Sequence, residues 1–274
     1  MALIKVLFFA DLVGKPGRFV LSQMCKSLKE KFGADYVIAN IENAAGGFGI
    51  TPEMSRKIFS YGVNCQTSGN HIWDRADIFQ YLNEQPRLLR PANYPPGVPG
   101  NGFLIDDING TKLAVLNLMG RTYMKEIDCP FRTADRELRK IRESTEIVII
   151  DFHAEVTSEK QALAYYLDGK VSAIIGTHTH VQTADETVSE RGTAYITDVG
   201  MTGPHDSIIG MEKAPSLERF LTGMPKRFAC ARNDIKISGA VVTIDTADGG
   251  AEHIERFKID FSGESPKEDD VKGL

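Results

Sequence analysis

The chain has 274 residues, 42% of them hydrophobic and 25% charged, and its 32 Lys plus Arg against 37 Asp plus Glu leave a formal charge of −5. Such a composition is that of a globular protein long enough to bury a core without disulfide or metal staples. The acidic balance argues against a binder of long nucleic acid, which needs cations to neutralise phosphates, but not against a small anionic ligand. No segment approaches the roughly 20 apolar residues that span a bilayer.

The apolar run at 4–10 is ended abruptly by Asp11, which suits a buried strand and not a secretory signal. A helix is predicted over 18–31, stopped by Gly33, followed by a strand at 36–40. Thr51 can cap a helix over 52–61, with Pro52 at its first position, and a strand follows at 65–68. Residues 84–102 carry five prolines and three glycines and read as an ordered, irregular surface excursion. Asn109-Gly110 is hairpin-turn chemistry joining an extended 103–106 to a strand at 112–118. Further on come a helix over 132–144, a strand at 147–152, a helix over 158–169 opened by a Ser158/Gln161 capping box, and a strand at 173–176. Strands at 193–197, 237–245 and 253–260 complete the pattern, the last two joined by Asp248-Gly249-Gly250.

This alternation predicts an α/β protein with an antiparallel late portion. One domain is expected through residue 260, followed by a charged tail without aromatics after Phe261, disordered over 261–274. Cys25, Cys65, Cys129 and Cys230 are scattered, with no Cys-x-x-Cys pair, and read as reduced thiols of a cytoplasmic protein.

Four of the six histidines follow strands. Asn70-His71 follows 65–68, His153 follows 147–152, and His178 and His180 follow 173–176; Asp11 ends the first strand and Glu42-Asn43 the second. In an open parallel sheet the carboxyl ends share one edge, where ligands bind. Each residue alone has a bland reading: Asp11 as a turn residue, His153 as a core histidine, Asn70 as a left-handed turn asparagine. His178-Thr179-His180 puts two imidazoles on one face of an extended segment, a pattern that favours metal. Together they supply two carboxylates, two carboxamides and four imidazoles, with no thiolate. Such oxygen and nitrogen donors suit Mn, Fe or Zn better than Ca or Mg. They exceed the needs of one ion, so two ions sharing a bridging carboxylate are expected.

Outside this set, His253 reads as surface, and His205 sits in a glycine-rich loop that could overhang the site without being assigned as a ligand. The run Ala44-Ala45-Gly46-Gly47-Phe48-Gly49 lacks the endings of a P-loop or dinucleotide motif and reads as close backbone approach to the metals. Tyr61 and Trp73 read as packing residues.

The ordered set Asp11, Glu42-Asn43, Gly69-Asn70-His71, His153 and Thr177-His178-Thr179-His180 resembles that of calcineurin-like metallophosphoesterases. The phrases at 41–47, 176–185 and 197–204 are similar to the bacterial YmdB-type branch, over essentially Lys5 to Asp260. Two departures from the wider superfamily, Val13 where it has a His and Glu42-Asn43 where it has Gly-Asp, fit that branch. The resemblance implies a layered sandwich of mixed β-sheets flanked by helices. It also implies one metal held by Asp11, Glu42, Asn43 and His180, another by Glu42, Asn70, His153 and His178, and His71 as general acid.

The activity implied is that of a phosphodiesterase on small cyclic nucleotides of the 2′,3′-cyclic AMP type. Two divalent ions, iron with manganese as substitute, would generate a bridging hydroxide for in-line attack. No membrane partner is expected, and a homo-oligomer is compatible with the sequence. The competing expectations are a phosphomonoesterase or nuclease on the same core, and a regulatory nucleotide-binding protein with incidental hydrolysis.

Overall fold

In the computed structural model, which describes residues 2–263, strand β1 (Leu3–Phe9) shows how the layers arise. Successive side chains of a strand point to opposite faces. Leu7 and Phe9 pack with Val20, Leu21 and Leu28 of helix α1 (Gly14–Phe32) and Ile58 of α2 (Pro52–Ser60). Val6 and Phe8 pack the other way, against Val115, Ile149 and Ile175. Those three belong to β6 (Thr111–Met119), β7 (Val148–His153) and β8 (Ala173–Thr177) of a second sheet. The opposite face of that sheet, with Leu116, Ile150 and Phe152, meets Leu138 and Ile141 of α4 (Pro130–Ile141) and Leu163 and Leu167 of α5 (Thr157–Leu167). The order is therefore helices, sheet, sheet, helices, as the resemblance implied. Burial on both faces explains why the central strands read as continuous apolar runs.

The first sheet has the order β2-β11-β12-β1-β3-β4, with β13 also pairing β12. Here β2 is Asp11–Leu12, β3 Tyr36–Asn40, β4 Cys65–Thr67, β11 Met201–Pro204, β12 Ile235–Asp245 and β13 Ala251–Asp260. The second has the order β5-β6-β7-β8-β10-β9, with β5 Phe103–Ile108, β9 Thr187–Val188 and β10 Ala194–Ile196. Strands β1, β3 and β4 run parallel, as do β6, β7, β8 and β10. Their carboxyl ends therefore lie on two facing sheets, not on the single edge that the strand pattern suggested.

Other expectations are corrected in detail. Helix α1 starts at Gly14 and ends on left-handed Gly33. Thr51 does cap α2, its Oγ1 accepting from the Met54 N–H. The Ser158/Gln161 box is not formed: α5 starts a residue earlier, at Thr157, and the side chain of its N-cap Val156 has no hydrogen-bond acceptor to offer. Two short helices were not predicted, α3 (Ile78–Glu84) and α6 (Lys213–Thr222), although Ile78, Tyr81 and Leu82 in the one and Leu217, Phe220 and Leu221 in the other stand at helical spacing. The 84–102 excursion is not confined to the surface. Leu88, Leu89 and Asn93 are fully buried, and the Asn93 carboxamide donates to the carbonyls of Met119 and Asp128. Asn109 and Gly110 both take positive φ in the β5–β6 turn, as expected. Of the expected tail, Phe261 packs edge-on against Phe19, and residues 264–274 lie outside the described residues. Among the described residues, no helix is long and apolar enough to cross a membrane, and all four cysteines are free.

Candidate metal centre

The eight singled-out residues come together where the two sheets meet. Asp11 in β2, Glu42 and Asn43 after β3, and Asn70 and His71 after β4 come from the first sheet; His153 at the end of β7, and His178 and His180 after β8, come from the second. Glu42 and His153 are buried, and Asp11 has no exposure at all.

One group centres on His153. Its Nε2 lies 2.8 Å from Glu42 Oε1, 3.0 Å from Asn70 Oδ1 and 3.0 Å from His178 Nδ1. A ring nitrogen carries at most one hydrogen, so hydrogen bonding alone does not satisfy three such neighbours. Ligand atoms about 2.1 Å from an ion and at right angles to one another lie about 3 Å apart, the spacing found here. Glu42, His153 and His178 thus form a cluster able to hold a metal ion.

A second group adjoins it. Asp11 Oδ2 lies 3.3 Å from His180 Nε2, and the Asn43 carboxamide nitrogen lies 3.1 Å from the same ring atom and 3.5 Å from Glu42 Oε1. A half-turn of that carboxamide would present its oxygen instead. Asp11 Oδ1 is buried without a partner, although unpaired buried carboxylate oxygens are costly. An ion would satisfy it, so the donors of both groups fit a pair of cations.

Each imidazole is aimed by its other nitrogen. The His153 Nδ1–H donates 2.9 Å to Thr177 Oγ1, whose own hydroxyl donates to buried Asp151. The His178 Nε2–H meets Glu155 Oε2 at 3.0 Å, and the His180 Nδ1–H donates 2.9 Å to the Ile209 carbonyl. Outer partners of this kind fix tautomer and ring orientation at metal sites. His178 and His180 do not share a face of an extended segment. Strand β8 ends at Thr177, and both residues take positive φ, 100° and 64°, which sends their rings to different groups. Such backbone is uncommon for a side chain larger than glycine and must be held from outside. Here it is held by buried Asp198, which accepts from Thr179 N–H, Thr179 Oγ1–H and Lys160 Nζ. Gly69 gives His153 its room, since a Cβ there would fall 2.1 Å from the ring.

Electrostatics set the resting state. Burial favours the neutral forms of Glu42 and His153, but their mutual attraction prevails, holding the Glu42 carboxyl at about 2 and lifting His153 to about 9. Burial and the neighbouring His153 charge push His178 down to about 3, leaving its Nδ1 lone pair free to bind. A cation entering the cluster would displace the His153 proton.

His71 stands apart. Its backbone N–H donates to Glu42 Oε2 at 2.9 Å, while its Nδ1 lies 2.7 Å from Asp74 Oδ2 and its ring meets Phe48 edge-on. With Glu42, Asn43, His178 and His180 it lines a cleft of about 490 Å³. Gly47 and Phe48 also line that cleft, but the glycines serve packing: a Cβ on Gly47 would strike Met211, and one on Gly49 would strike Arg75. His205 does not line it; its Nδ1 bonds the Gly203 carbonyl beside β12. Trp73 stacks edge-on with Phe79 and Tyr94 and, like Tyr61, packs against the core.

Sequence reasoning missed Asp74, Glu155, Asp151, Lys160, Asp198 and the α6 side of the cleft. Asp198 alone had a signal, lying inside the phrase 197–204. That phrase is structural: besides Asp198 it supplies Met201 and Thr202, which pair with Asp11 and Leu12 and so fix the Asp11 backbone.

The model of the YmdB-like protein family matches residues 7–257. A Bacillus subtilis (strain 168) protein named 2′,3′-cyclic-nucleotide 2′-phosphodiesterase is 46% identical over 255 residues, 93% of this chain and 97% of its own length. The crystal structure of a hypothetical protein from Thermus thermophilus superposes with a TM-score of 0.89 at 40% identity, covering 94% of this chain and 99% of that one. A structure described as a novel phosphatase from Mycoplasma pneumoniae gives 0.88 at 34% identity, covering 95% and 94%. The matched span holds all eight site residues, and the chain belongs to the YmdB-like family.

Proposed function

We propose that this protein is a metal-dependent phosphodiesterase that hydrolyses small cyclic nucleotides of the 2′,3′-cyclic AMP type. The observation that carries the reading is the crowding of Glu42, Asn70 and His178 onto one nitrogen of His153, beside a buried Asp11 oxygen with no partner. Asp11, Glu42, Asn43 and His180 would hold one divalent ion, and Glu42, Asn70, His153 and His178 the other. The mixed oxygen and nitrogen set suits iron or manganese. When bound, such a pair neutralises phosphoryl charge and makes a water acidic enough to attack near neutral pH. The free cysteines fit a reducing cytoplasm.

The protein's own groups supply the rest. Glu42 is kept ionised and oriented by His153 and by the His71 N–H. Asp74 Oδ2 lies 2.7 Å from His71 Nδ1 and fixes the orientation of the ring. The remaining His71 nitrogen, at the cleft, would give its proton to the leaving ribose oxygen. The Bacillus subtilis relative's name supports the cyclic-nucleotide class of substrate.

The test is turnover of 2′,3′-cyclic AMP and of 3′-AMP by protein as isolated, after chelation, and after refilling with manganese or iron. Turnover should favour the cyclic diester, vanish on chelation and return on refilling. Faster monoester hydrolysis, or activity untouched by chelation, would refute the reading.

A further inference from the structure

The cleft has a wall that phosphoryl chemistry leaves without a task. Arg219 and Phe220 of α6 and Phe228 beyond it line the same cavity as Glu42, Asn43, His178 and His180. Phe220 is 81% exposed, and the Arg219 guanidinium lies 5.1 Å from the Phe228 ring centroid. A phenylalanine left in water forgoes the gain its burial would bring, and in a cleft it invites an apolar or aromatic ligand group. The cavity is thus chemically two-ended, with oxygen and nitrogen donors on one side and rings with a cation on the other. Its volume of about 490 Å³ is that of a small-molecule site.

We propose that Phe220, Phe228 and Arg219 form a platform on which the substrate's nucleobase stacks while its phosphate sits at the metal centre. This rests on the phosphodiesterase reading above. Every base has a π-face, so the platform selects nucleotides over diesters lacking a base and tolerates changes of base. A guanidinium stacked on a ring adds cation–π attraction. The rival occupant is a second copy of the chain, because Leu217, Leu221 and Met224 are also exposed on this helix and its end. Those three do not line the cleft, whereas Arg219 and Phe220 do.

The test measures kcat/KM for 2′,3′-cyclic AMP, the inhibition constant of inorganic phosphate, and oligomeric state, in wild type, Phe220→Ala, Phe228→Ala and Phe220→Trp. The alanine variants should lose roughly 5- to 150-fold in kcat/KM. Phosphate inhibition should stay unchanged, and Phe220→Trp should retain activity. Unchanged kcat/KM overturns the platform, as does an equal weakening of phosphate inhibition. Loss of activity together with a change in subunit number assigns the face to a second copy instead. If wild type hydrolyses no cyclic nucleotide, the phosphodiesterase reading falls and the platform with it; if only the variant pattern fails, the platform falls alone.

Discussion

Lys160→Met should destabilise the protein and loosen its metal centre. Lys160 is 1% exposed, and its ammonium donates to Asp198 Oδ2 at 2.8 Å and to the Thr177 carbonyl at 2.7 Å. Asp198 has no exposure, and its other donors are Thr179 N–H, Thr179 Oγ1–H and Gly200 N–H. Methionine keeps the length of the stem but leaves a buried carboxylate with no cation and a buried carbonyl without its donor. Breaking a buried pair this way costs about 3–5 kcal/mol, and the three remaining donors place this case near about 3 kcal/mol. In a chain of this size the melting temperature should fall by roughly 6–12 °C. Urea unfolding should show a lower midpoint at unchanged slope, and metal affinity should fall because the 177–180 turn carries His178 and His180. Adding Asp198→Asn should recover part of the stability, since no charge is then stranded. A loss below about 1 kcal/mol with unchanged metal affinity would refute the view that this pair holds the turn.

His71→Asn should lower turnover of 2′,3′-cyclic AMP by roughly 10²–10⁴-fold with metal content unchanged; metal lost in step with rate would make His71 a ligand. Glu155→Ala removes the partner of the His178 Nε2–H and should weaken binding of the ion at His178 by roughly 10–100-fold in a metal-competition titration. Gly69→Ala should displace the His153 ring and lower metal content, since the new Cβ would fall 2.1 Å from it; wild-type metal content would count against that crowding. Burial raises the Cys25 and Cys230 thiols to about 11 and raises Cys65 as well, so iodoacetamide at pH 8 should modify Cys129 first in peptide mapping.

The site was legible because its residues are punctuation. Asp11, Glu42, His153 and His178 interrupt or end apolar strands; each alone can be a turn or core residue, but their recurrence at strand ends marks a shared site. The layered fold was half legible. Runs such as 147–152 announce strands buried on both faces, but nothing in them tells one sheet from two. That distinction came from family resemblance and is settled in the structure by Val6 and Phe8 packing on Val115, Ile149 and Ile175. The supporting groups were not legible because each is an ordinary residue type in an ordinary place. Lys160 lies in a helix whose apolar period is weak, and Glu155 lies in a loop. Their roles arise only from contacts across 38 and 23 residues of sequence, respectively, to Asp198 and His178. Helix α6 was missed although Leu217, Phe220 and Leu221 stand at helical spacing; in the fold that stripe is exposed, with Phe220 at the cleft, and packs on no core.

Anomalous diffraction from crystals grown with manganese tests the proposed dinuclear centre most directly. Two peaks about 3.5–4 Å apart are expected, with Glu42 between them. One should lie against Asp11, Asn43 and His180, and the other against Asn70, His153 and His178. A single peak, or peaks away from Glu42, would contradict the two-ion site.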